Sequence, residues 1–232
     1  LYDNTCGVSN PAALTDAYVR LFTDAGGRVA KARVTGLARG EDGWTVSCDG
    51  GGDLAADAVV IAAGPWSADI SGWLGYDLPL GWERGYHMHL EPGEGPQLNR
   101  AVHDVDGGFA IAPMQQGVRI TTGVEIAHRD APPDYRQVRR SVELARDGHE
   151  MKAEIDETPW MGRRPTMVDS LPVIGPAPRH DGLFFNFGHQ HIGLSMAPGS
   201  ALAITAMING EAPPMDMTPF RATRFSIGPA AS

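Results

Sequence analysis

The segment Gly188–Ser195 could carry chemistry, because a glycine-rich turn leads directly into a helix there. The turn places His189 and His191 between two glycines. Free N–H groups at the start of such a helix, together with the positive end of its dipole, can stabilise negative charge on a ligand. A glycine-rich junction without a ligand accounts for the same residues equally well, so this segment alone favours neither interpretation.

A second candidate is the strand end within Asp57–Ser67. Its apolar run, Ala58–Ala63, is typical of a strand that is buried on both faces of a parallel sheet. Small residues at the exit, ending in Gly64, would let the backbone lie close to a flat ligand. The alternative is a core strand with a tight exit, and this segment alone favours that alternative.

Motifs that would identify an active site by themselves are absent from the sequence. It contains no GxGxxG, no P-loop, no HExxH and no GxSxG, which argues against a serine hydrolase. Zinc sites need three or four ligands, and the histidines that could serve lack carboxylate or thiolate neighbours at suitable spacing. We therefore favour histidines that are hydrogen-bonded in polar loops and predict no metal at His87, His89, His180, His189 or His191.

The composition excludes several classes of protein. Of the 232 residues 42% are hydrophobic and 20% charged, and the net charge of −9 argues against nucleic-acid binding because an anionic surface repels phosphates. No apolar run approaches the roughly 18–20 residues that a membrane span needs. Cys6 and Cys48 are too few for a disulfide scaffold, which predicts a cytoplasmic setting. A peripheral position on the inner face of a membrane stays open.

Capping residues and periodicity predict the elements that must position these segments. Asn10-Pro11 predicts the start of a helix, and Gly26-Gly27 predicts its end. Strands are predicted at 28–37, 44–48, 58–63, 80–90, 101–105, 109–113, 118–123 and 183–187. Further helices are predicted at 66–73, 134–150 and 194–208. Together they predict an α/β (α+β) fold with a mostly antiparallel second sheet.

Four blocks of this sequence resemble, in their order and spacing, the FAD-dependent amino-acid oxidoreductases of the D-amino-acid oxidase superfamily. The chain is most similar to the D-amino-acid dehydrogenase and glycine oxidase branch, from about Asn10 to Gly210. The blocks are the GG-x-V strand after the first helix, AAGPWS, the G-x-R-P block with its P-x-I-G continuation, and GHQHIGLSMAP. The resemblance implies a partial FAD-binding Rossmann-like domain with an inserted, mostly antiparallel substrate-binding sheet.

The resemblance also implies a division of the chain. Residues 1–76 and 161–211 would belong to the FAD domain, 77–160 would form the substrate-binding lobe, and 212–232 a tail. The family begins with a strand–GxGxxG–helix unit that holds the FAD pyrophosphate, and that unit is missing here. We therefore expect the C-terminal half of a longer flavoprotein, as a fragment, a cleavage product or a subunit completed by another chain. An isolated chain of this kind can be inactive.

Roles for individual residues follow from the resemblance. Arg164 would bind the substrate α-carboxylate through its planar guanidinium, with His191 and Tyr86 as further substrate-facing side chains. The alternatives are a surface salt bridge, a structural loop histidine and a core tyrosine. Backbone N–H groups at the start of the last helix would contact the flavin C2 carbonyl. The implied cofactor-binding residues are Val34, Ala63, Gly64, Trp66, Gly162, Gly188, His189, Gly193, Leu194 and Ser195.

The implied activity is oxidation of an amino acid to the imino acid, with hydride transfer from the substrate Cα to flavin N5 of FAD. The substrate would be a D-amino acid, with a proline-like one as a narrower expectation. Electrons would leave to oxygen, a quinone or an electron-transfer partner. Two alternatives stay open: amine oxidation like that of sarcosine or glycine oxidases, and a non-catalytic subunit or fragment. Covalent flavin attachment is disfavoured, because neither Cys6 nor Cys48 lies in the C-terminal flavin loop.

Overall fold

The computed structural model describes residues 7–50 and 52–225, so Cys6 and the end of the tail lie outside the described residues. The described chain divides into two compact units. The first unit comprises the residues up to Ala30 together with Arg84–Gly162, and the second comprises Lys31–Glu83 together with the residues from Arg163 onward. The expected mixture of helices and strands, with a mostly antiparallel sheet, is confirmed.

The bounds of the helices and strands are as follows. The α-helices of the described residues are α1 Pro11–Asp24, α2 Ser67–Gly72, α3 Arg136–Gly148 and α4 Gly193–Ile208. The first strands are β1 Val34–Gly40, β2 Gly43–Cys48, β3 Leu54–Ala56, β4 Val59–Ile61, β5 Leu80–Pro92 and β6 Val102–Asp104. The later strands are β7 Phe109–Met114, β8 Gly117–Glu125, β9 Met151–Glu154, β10 Trp160–Met167, β11 Val173–Pro176 and β12 Leu183–Phe187.

Helix α1 begins where the sequence predicts. The Asn10 side chain accepts a hydrogen bond from the Ala13 N–H at 3.0 Å, and proline occupies the first helical position. The helix ends before Gly26, whose φ of +92° reverses the backbone. Most of its large apolar side chains are exposed, Leu21 by 65%, while Leu14 is partly buried. The caps therefore define the ends of this helix, rather than burial of its apolar face.

Strand β1 starts at Val34, so the expected start at Arg28 is wrong. Its partner β2 ends at Cys48, and the chain then turns at Asp49. The Asp49 N–H donates to the Arg33 carbonyl at 2.8 Å, and its carboxylate accepts from the Arg33 N–H at 3.0 Å. These bonds close the hairpin at Arg33. The length of the partner strand, rather than the local sequence, sets where β1 begins.

The second unit also contains a three-stranded sheet in the order β11–β12–β4, in which β12 runs parallel to β4 and antiparallel to β11. Helix α4 packs against one face, where its Ala203 and Ile204 meet Ile174 and the partly buried Phe184. The other face supplies Phe185 to the main core of the unit, with Trp44 and Tyr76 among the core residues. Both faces of β12 are therefore covered.

The expected burial of the 58–63 strand on both faces is wrong for β4. Ile61 is 3% exposed, but its neighbour Val60 is 37% exposed. The difference arises because β4 is an edge strand that pairs only with β12 in the described sheet. The main core covers the Ile61 face, and the partly buried Ile70 of α2 packs against that core. The Val60 side chain points to the opposite face.

The first unit is built on an antiparallel sheet in which β5, β8, β7 and β6 are neighbours in that order. Alternate residues of β5, namely Tyr86, Met88 and Leu90, join a core with Val138 and Val142 of α3. The residues between them, His87 and His89, must point to the opposite face because strand side chains alternate. The polar helix expected at 134–150 is confirmed as α3 and covers one face of this sheet only.

Candidate active site

The carboxyl ends of β4 and β12 lie at one edge of the sheet, because these two strands are parallel. Val59 pairs with Leu183, and Ile61 pairs with Phe185. The segments that follow, 62–66 and 188–192, therefore leave the sheet at the same edge, where ligands bind in α/β sheets. Five of the predicted cofactor-binding residues lie in these segments: Ala63, Gly64, Trp66, Gly188 and His189.

The exit from β4 is a tight turn with an open backbone. Gly64 has a φ of +55°, which favours glycine, and a Cβ added there would meet no atom within 4 Å. A short 3₁₀ turn over Gly64–Trp66 follows, with Pro65 buried and Trp66 48% exposed. A bare stretch of backbone beside an exposed indole fits the predicted approach of a flat ligand.

The exit from β12 is held in a conformation that few residues adopt. Gly188 has a φ of +87°, and Gln190 has a φ of +54°, which is uncommon for a residue with a side chain. The His189 ring nitrogen Nε2 lies 2.9 Å from Ser200 Oγ, which joins the loop to α4. Burial lowers the pKa of His189, so the ring is neutral at pH 7. The loop is therefore pinned by an uncharged histidine.

Substitution of Gly188 by alanine should destabilise the protein through packing as well as backbone strain. The added Cβ would lie 2.7 Å from Met167 Cγ. Gly210 is a matched control, because its φ is also positive, +74°, and its Cβ would meet nothing within 4 Å. We expect Gly188→Ala to lower the free energy of unfolding by about 1–3 kcal/mol more than Gly210→Ala does. Urea unfolding of both variants measures this difference. Equal losses of unfolding free energy would show that the Met167 side chain moves to accommodate the added Cβ.

The first turn of α4 presents backbone donors. Its N-cap residue is Ile192, and among the described residues no side chain caps the helix. The Ser195 hydroxyl is used elsewhere, since it donates to the Ile192 carbonyl at 2.9 Å. Because the first N–H groups of a helix have no partner within it, those of Gly193, Leu194 and Ser195 are available to a ligand. Leu194 is 45% exposed, so this helix start is accessible.

Arg164 is connected to this loop through the backbone of β10. The Gln190 N–H donates to the Pro165 carbonyl at 2.9 Å, and Thr166 forms an antiparallel bridge with His189. The structure thus brings Arg164 and Pro165 of the G-x-R-P block next to the loop that precedes α4. Arg164 is half-buried. His191, which is also predicted to face the substrate, lies in the loop before α4 and is exposed.

Three predicted site residues lie elsewhere. Val34 begins β1, where it pairs with Cys48 in the other sheet of the second unit. Gly162 belongs to the first unit, where the Trp160 ring covers its backbone so closely that an added Cβ would lie 2.3 Å from that ring. Tyr86 also belongs to the first unit and is 2% exposed. The roles proposed for these three residues stay predictions.

The Tyr86 hydroxyl is part of a buried polar network on the α3 face of the sheet. It donates to the Glu125 carboxylate, accepts from Arg84 Nη2 at 3.1 Å and accepts from the Asp134 N–H at 3.1 Å. Burial raises the pKa of Tyr86, so the hydroxyl keeps its proton. A cavity of about 340 Å³ adjoins it, lined by Tyr86, Glu125, Asp134, Arg136, Gln137 and Arg140.

Sequence reasoning missed two polar groupings of the first unit. Arg84 forms a buried ion pair with Glu125 at 2.8 Å, and His89 bonds to both Asp156 and Arg119. The available signal was the alternation in β5, where polar and apolar residues follow each other. That alternation does not identify the partners of Arg84 and His89, because Glu125 and Arg119 lie on another strand.

The described residues contain neither a metal-ligand cluster nor a membrane-spanning helix. In residues 7–50 and 52–225, no three His, Cys, Asp or Glu side chains gather as metal ligands. Among those same residues, no helix combines the length and the apolar character needed to cross a bilayer.

The chain is similar to known proteins in both sequence and structure. Residues 1–207 match the family described as DAO, FAD dependent oxidoreductase. The chain is 30% identical to a D-amino-acid oxidase of Bradyrhizobium diazoefficiens over 93% of its own length and 52% of that protein. It is 33% identical to D-amino acid dehydrogenase 2 of Mesorhizobium japonicum, over 71% of its own length and 40% of that protein.

A structural comparison gives the same fold. Glycine oxidase from Geobacillus kaustophilus matches with a TM-score of 0.80 at 24% identity, covering 92% of this chain and 58% of that one. The chain spans about half the length of the curated relatives it matches. The family match extends over nearly nine tenths of the chain and includes both turns that leave the parallel strands. The chain belongs to the DAO family of FAD-dependent oxidoreductases.

Proposed function

We propose that this chain takes part in the FAD-dependent oxidation of an amino acid, with a D-amino acid as substrate, to the corresponding imino acid. The observation that carries the proposal is the attachment of the Arg164-Pro165 strand to the loop before α4, through the Gln190–Pro165 hydrogen bond and the Thr166–His189 bridge. These contacts hold a carboxylate-binding side chain and a set of free backbone donors on neighbouring segments.

The described residues fit the cofactor of the family. Gly64 leaves open space beside its backbone, and the first turn of α4 lacks a side-chain cap. FAD, when bound, supplies the acceptor for the hydride and its electron pair. The N–H groups of Gly193, Leu194 and Ser195 would stabilise negative charge at the helix start. Arg164 would orient the substrate by binding its α-carboxylate through two parallel hydrogen bonds.

The role of α4 can be tested by removing one N–H group without breaking the helix. Proline is tolerated in the first turn, and Gly193 before it lacks the Cβ that would clash. We expect Leu194→Pro to weaken FAD binding about 10- to 100-fold, because one hydrogen bond to a charged group contributes about 1.5–3 kcal/mol. The measurement is a titration with FAD, followed by the visible absorption of the bound flavin.

Leu194→Ala is the matched control, because it removes the same exposed side chain but keeps the backbone N–H and suits a helix. Both variants should unfold at temperatures close to that of the wild type. Wild-type protein that binds FAD no better than Leu194→Pro would contradict the proposed role of this helix start.

The choice of substrate can be tested by anaerobic bleaching of the FAD-loaded protein. D-Alanine, D-proline, glycine and sarcosine distinguish a D-amino-acid dehydrogenase, a proline-like preference and an amine oxidase of the glycine or sarcosine kind. Oxygen and a soluble quinone, compared as acceptors, identify where the electrons go. Stable bound flavin that no amino acid bleaches would favour the non-catalytic alternative.

The same proposal assigns FAD binding and substrate binding to different segments of the chain. Residues 1–76 and 161–211 would contribute to FAD binding, and residues 77–160 would contribute to substrate binding. A missing N-terminal half or a second chain would supply the pyrophosphate site. Two cysteines are too few for a disulfide scaffold, which supports the inference of a reducing, cytoplasmic setting; cell fractionation would test it.

A further inference from the structure

The face of the first unit's sheet opposite α3 carries an arginine whose position is fixed on one side only. Arg119 of β8 pairs with His89 on β5 and with Ala112 on β7. The next pair on the same face joins Thr121 to His87 and to Ala110. The small alanine side chains of β7 therefore leave room on one side of the guanidinium. The histidine side chains of β5 lie on its other side.

The His89 ring connects Arg119 to a carboxylate. Its Nδ1 lies 2.9 Å from Asp156 Oδ2, and its Nε2 lies 3.0 Å from Arg119 Nε. A carboxylate only accepts and a guanidinium only donates, so Nδ1 carries the proton and Nε2 accepts. The ring is thereby neutral, and it is 4% exposed. The Asp156 carboxylate also accepts from the His89 backbone N–H at 2.7 Å, which fixes this chain of contacts at its far end.

The remaining donors of Arg119 have no partner in the part of the chain that the structure describes. Only Nε is used, so the two terminal nitrogens, Nη1 and Nη2, are left for a ligand. Partial burial lowers the pKa of Arg119, while the charge of Asp156 opposes this effect. A half-buried guanidinium that is held by one edge presents a planar fork, the geometry that binds a carboxylate through two hydrogen bonds.

A flat wall of rings adjoins this guanidinium. His87 stacks on Trp160 with ring centroids 4.7 Å apart, and the His87 ring meets His89 edge-on at 5.0 Å. Burial, followed by the nearby Arg119, lowers the pKa of His87 to about 4. His87 is therefore uncharged at pH 7, and Arg119 is the group of this cluster that attracts an anion.

We propose that Arg119, positioned by His89 and Asp156, binds a carboxylate group of a small ligand on the sheet face opposite α3, with the His87–Trp160 pair as the wall of the site. The class of ligand rests on the proposed function: it is an acidic amino acid, which contributes the carboxylate of its side chain, since the α-carboxylate is assigned to Arg164. Arg119 is the binding residue, and His89 and Asp156 are positioning residues.

Direct binding tests this inference without turnover. The full chain, with and without FAD, is titrated with D-aspartate and with D-asparagine, and binding is followed by calorimetry or saturation-transfer NMR. We expect Arg119→Gln to weaken D-aspartate binding about 10- to 100-fold, because it removes charge-assisted hydrogen bonds. Arg119→Lys, which keeps the charge but loses the fork, should fall in between.

Arg139→Gln is the matched control, because Arg139 lies on α3 and is 52% exposed. It should bind both ligands as the wild type does. Loss of D-aspartate binding alone in Arg119→Gln would support a contact with the side-chain carboxylate, and equal loss of both ligands would contradict it. Unchanged affinity for both ligands, or no saturable binding by the wild type, would overturn the inference.

The test separates this inference from the proposed function. A chain that binds FAD through α4 but shows no effect of Arg119→Gln would contradict the carboxylate site alone. His89→Phe removes the ring nitrogen that accepts from Arg119. We expect this variant to bind D-aspartate more weakly at a temperature at which the ligand-free variant is still fully folded, as its unfolding curve shows. A purely structural role of His89 would leave the affinity of the folded variant unchanged. An affinity that survives in His89→Phe would remove His89 and Asp156 from the site.

Discussion

Replacement of Arg164 by glutamine is expected to lower kcat/KM for the amino-acid substrate about 100- to 1000-fold in the FAD-loaded protein, because two charge-assisted hydrogen bonds are lost. The loss should appear chiefly as a higher KM. A smaller fall in kcat should accompany it, since a substrate without this anchor is also less well oriented. Steady-state kinetics with a D-amino acid measure both terms.

Arg163 provides the matched control for this experiment. It precedes Arg164 on β10, so its side chain points to the other face of the strand, and both residues are partly buried. Arg163→Gln makes the same change in charge and should retain most of the activity. Equal losses in the two variants would contradict a specific contact between Arg164 and the substrate.

Replacement of Arg84 by methionine is expected to lower the free energy of unfolding by about 2–4 kcal/mol, because Glu125, whose side chain is 26% exposed, loses its counter-charge and two backbone carbonyls lose a charged donor. Arg84 is 1% exposed and donates to Glu125 at 2.8 Å. It also donates to the carbonyls of Ala131 and Pro132, and so fastens the segment between β8 and α3. Urea unfolding measures the loss.

Two controls show whether the buried charge causes this effect. The double variant Arg84→Met with Glu125→Leu removes both charges and should recover part of the stability, because apolar pairs often replace buried ion pairs at little cost. Arg136→Met removes an arginine that is 91% exposed and should unfold close to the wild type. If Arg84→Met were as stable as Arg136→Met, the hydrogen bonds of Arg84 would not be needed for stability.

The same ion pair predicts a dependence of stability on pH. The hydrogen bond from Arg84 holds the pKa of Glu125 below its usual value of 4.5. A carboxyl whose pKa is lower in the folded state stabilises the protein above the unfolded pKa, and this contribution disappears as the pH falls through the folded pKa. The difference between wild type and Arg84→Met should therefore shrink below pH 4.5, and a constant difference would contradict the pairing.

Sequence patterns were sufficient for elements whose ends depend on local chemistry. Helix α1 starts at the Asn10 cap, strand β12 matches its expected bounds, and α4 follows the glycine turn. These features depend on residues within a few positions of each other, such as a side chain that accepts from an N–H three residues on. The family blocks belong to the same class, because each is a short segment with a characteristic spacing.

Features that depend on distant partners could not be predicted in this way. The start of β1 depends on where β2 ends, and the exposure of Val60 depends on β4 being an edge strand. The sequence does not indicate that Arg84 is buried, since nothing in its own segment shows that Glu125 is its partner. In each case the deciding neighbour lies on another strand.

The sequence by itself determined the family, the glycine turns and the identity of Arg164 as a carboxylate-binding candidate, because these are properties of residue type and short spacing. Only the tertiary structure decided which groups meet. The contact of Pro165 with Gln190 and the pairing of His89 with Arg119 join residues 25 and 30 positions apart. The hydrogen-bond register between strands determines which distant residues are in contact. Register is a property of the folded sheet, and no single segment of sequence contains it.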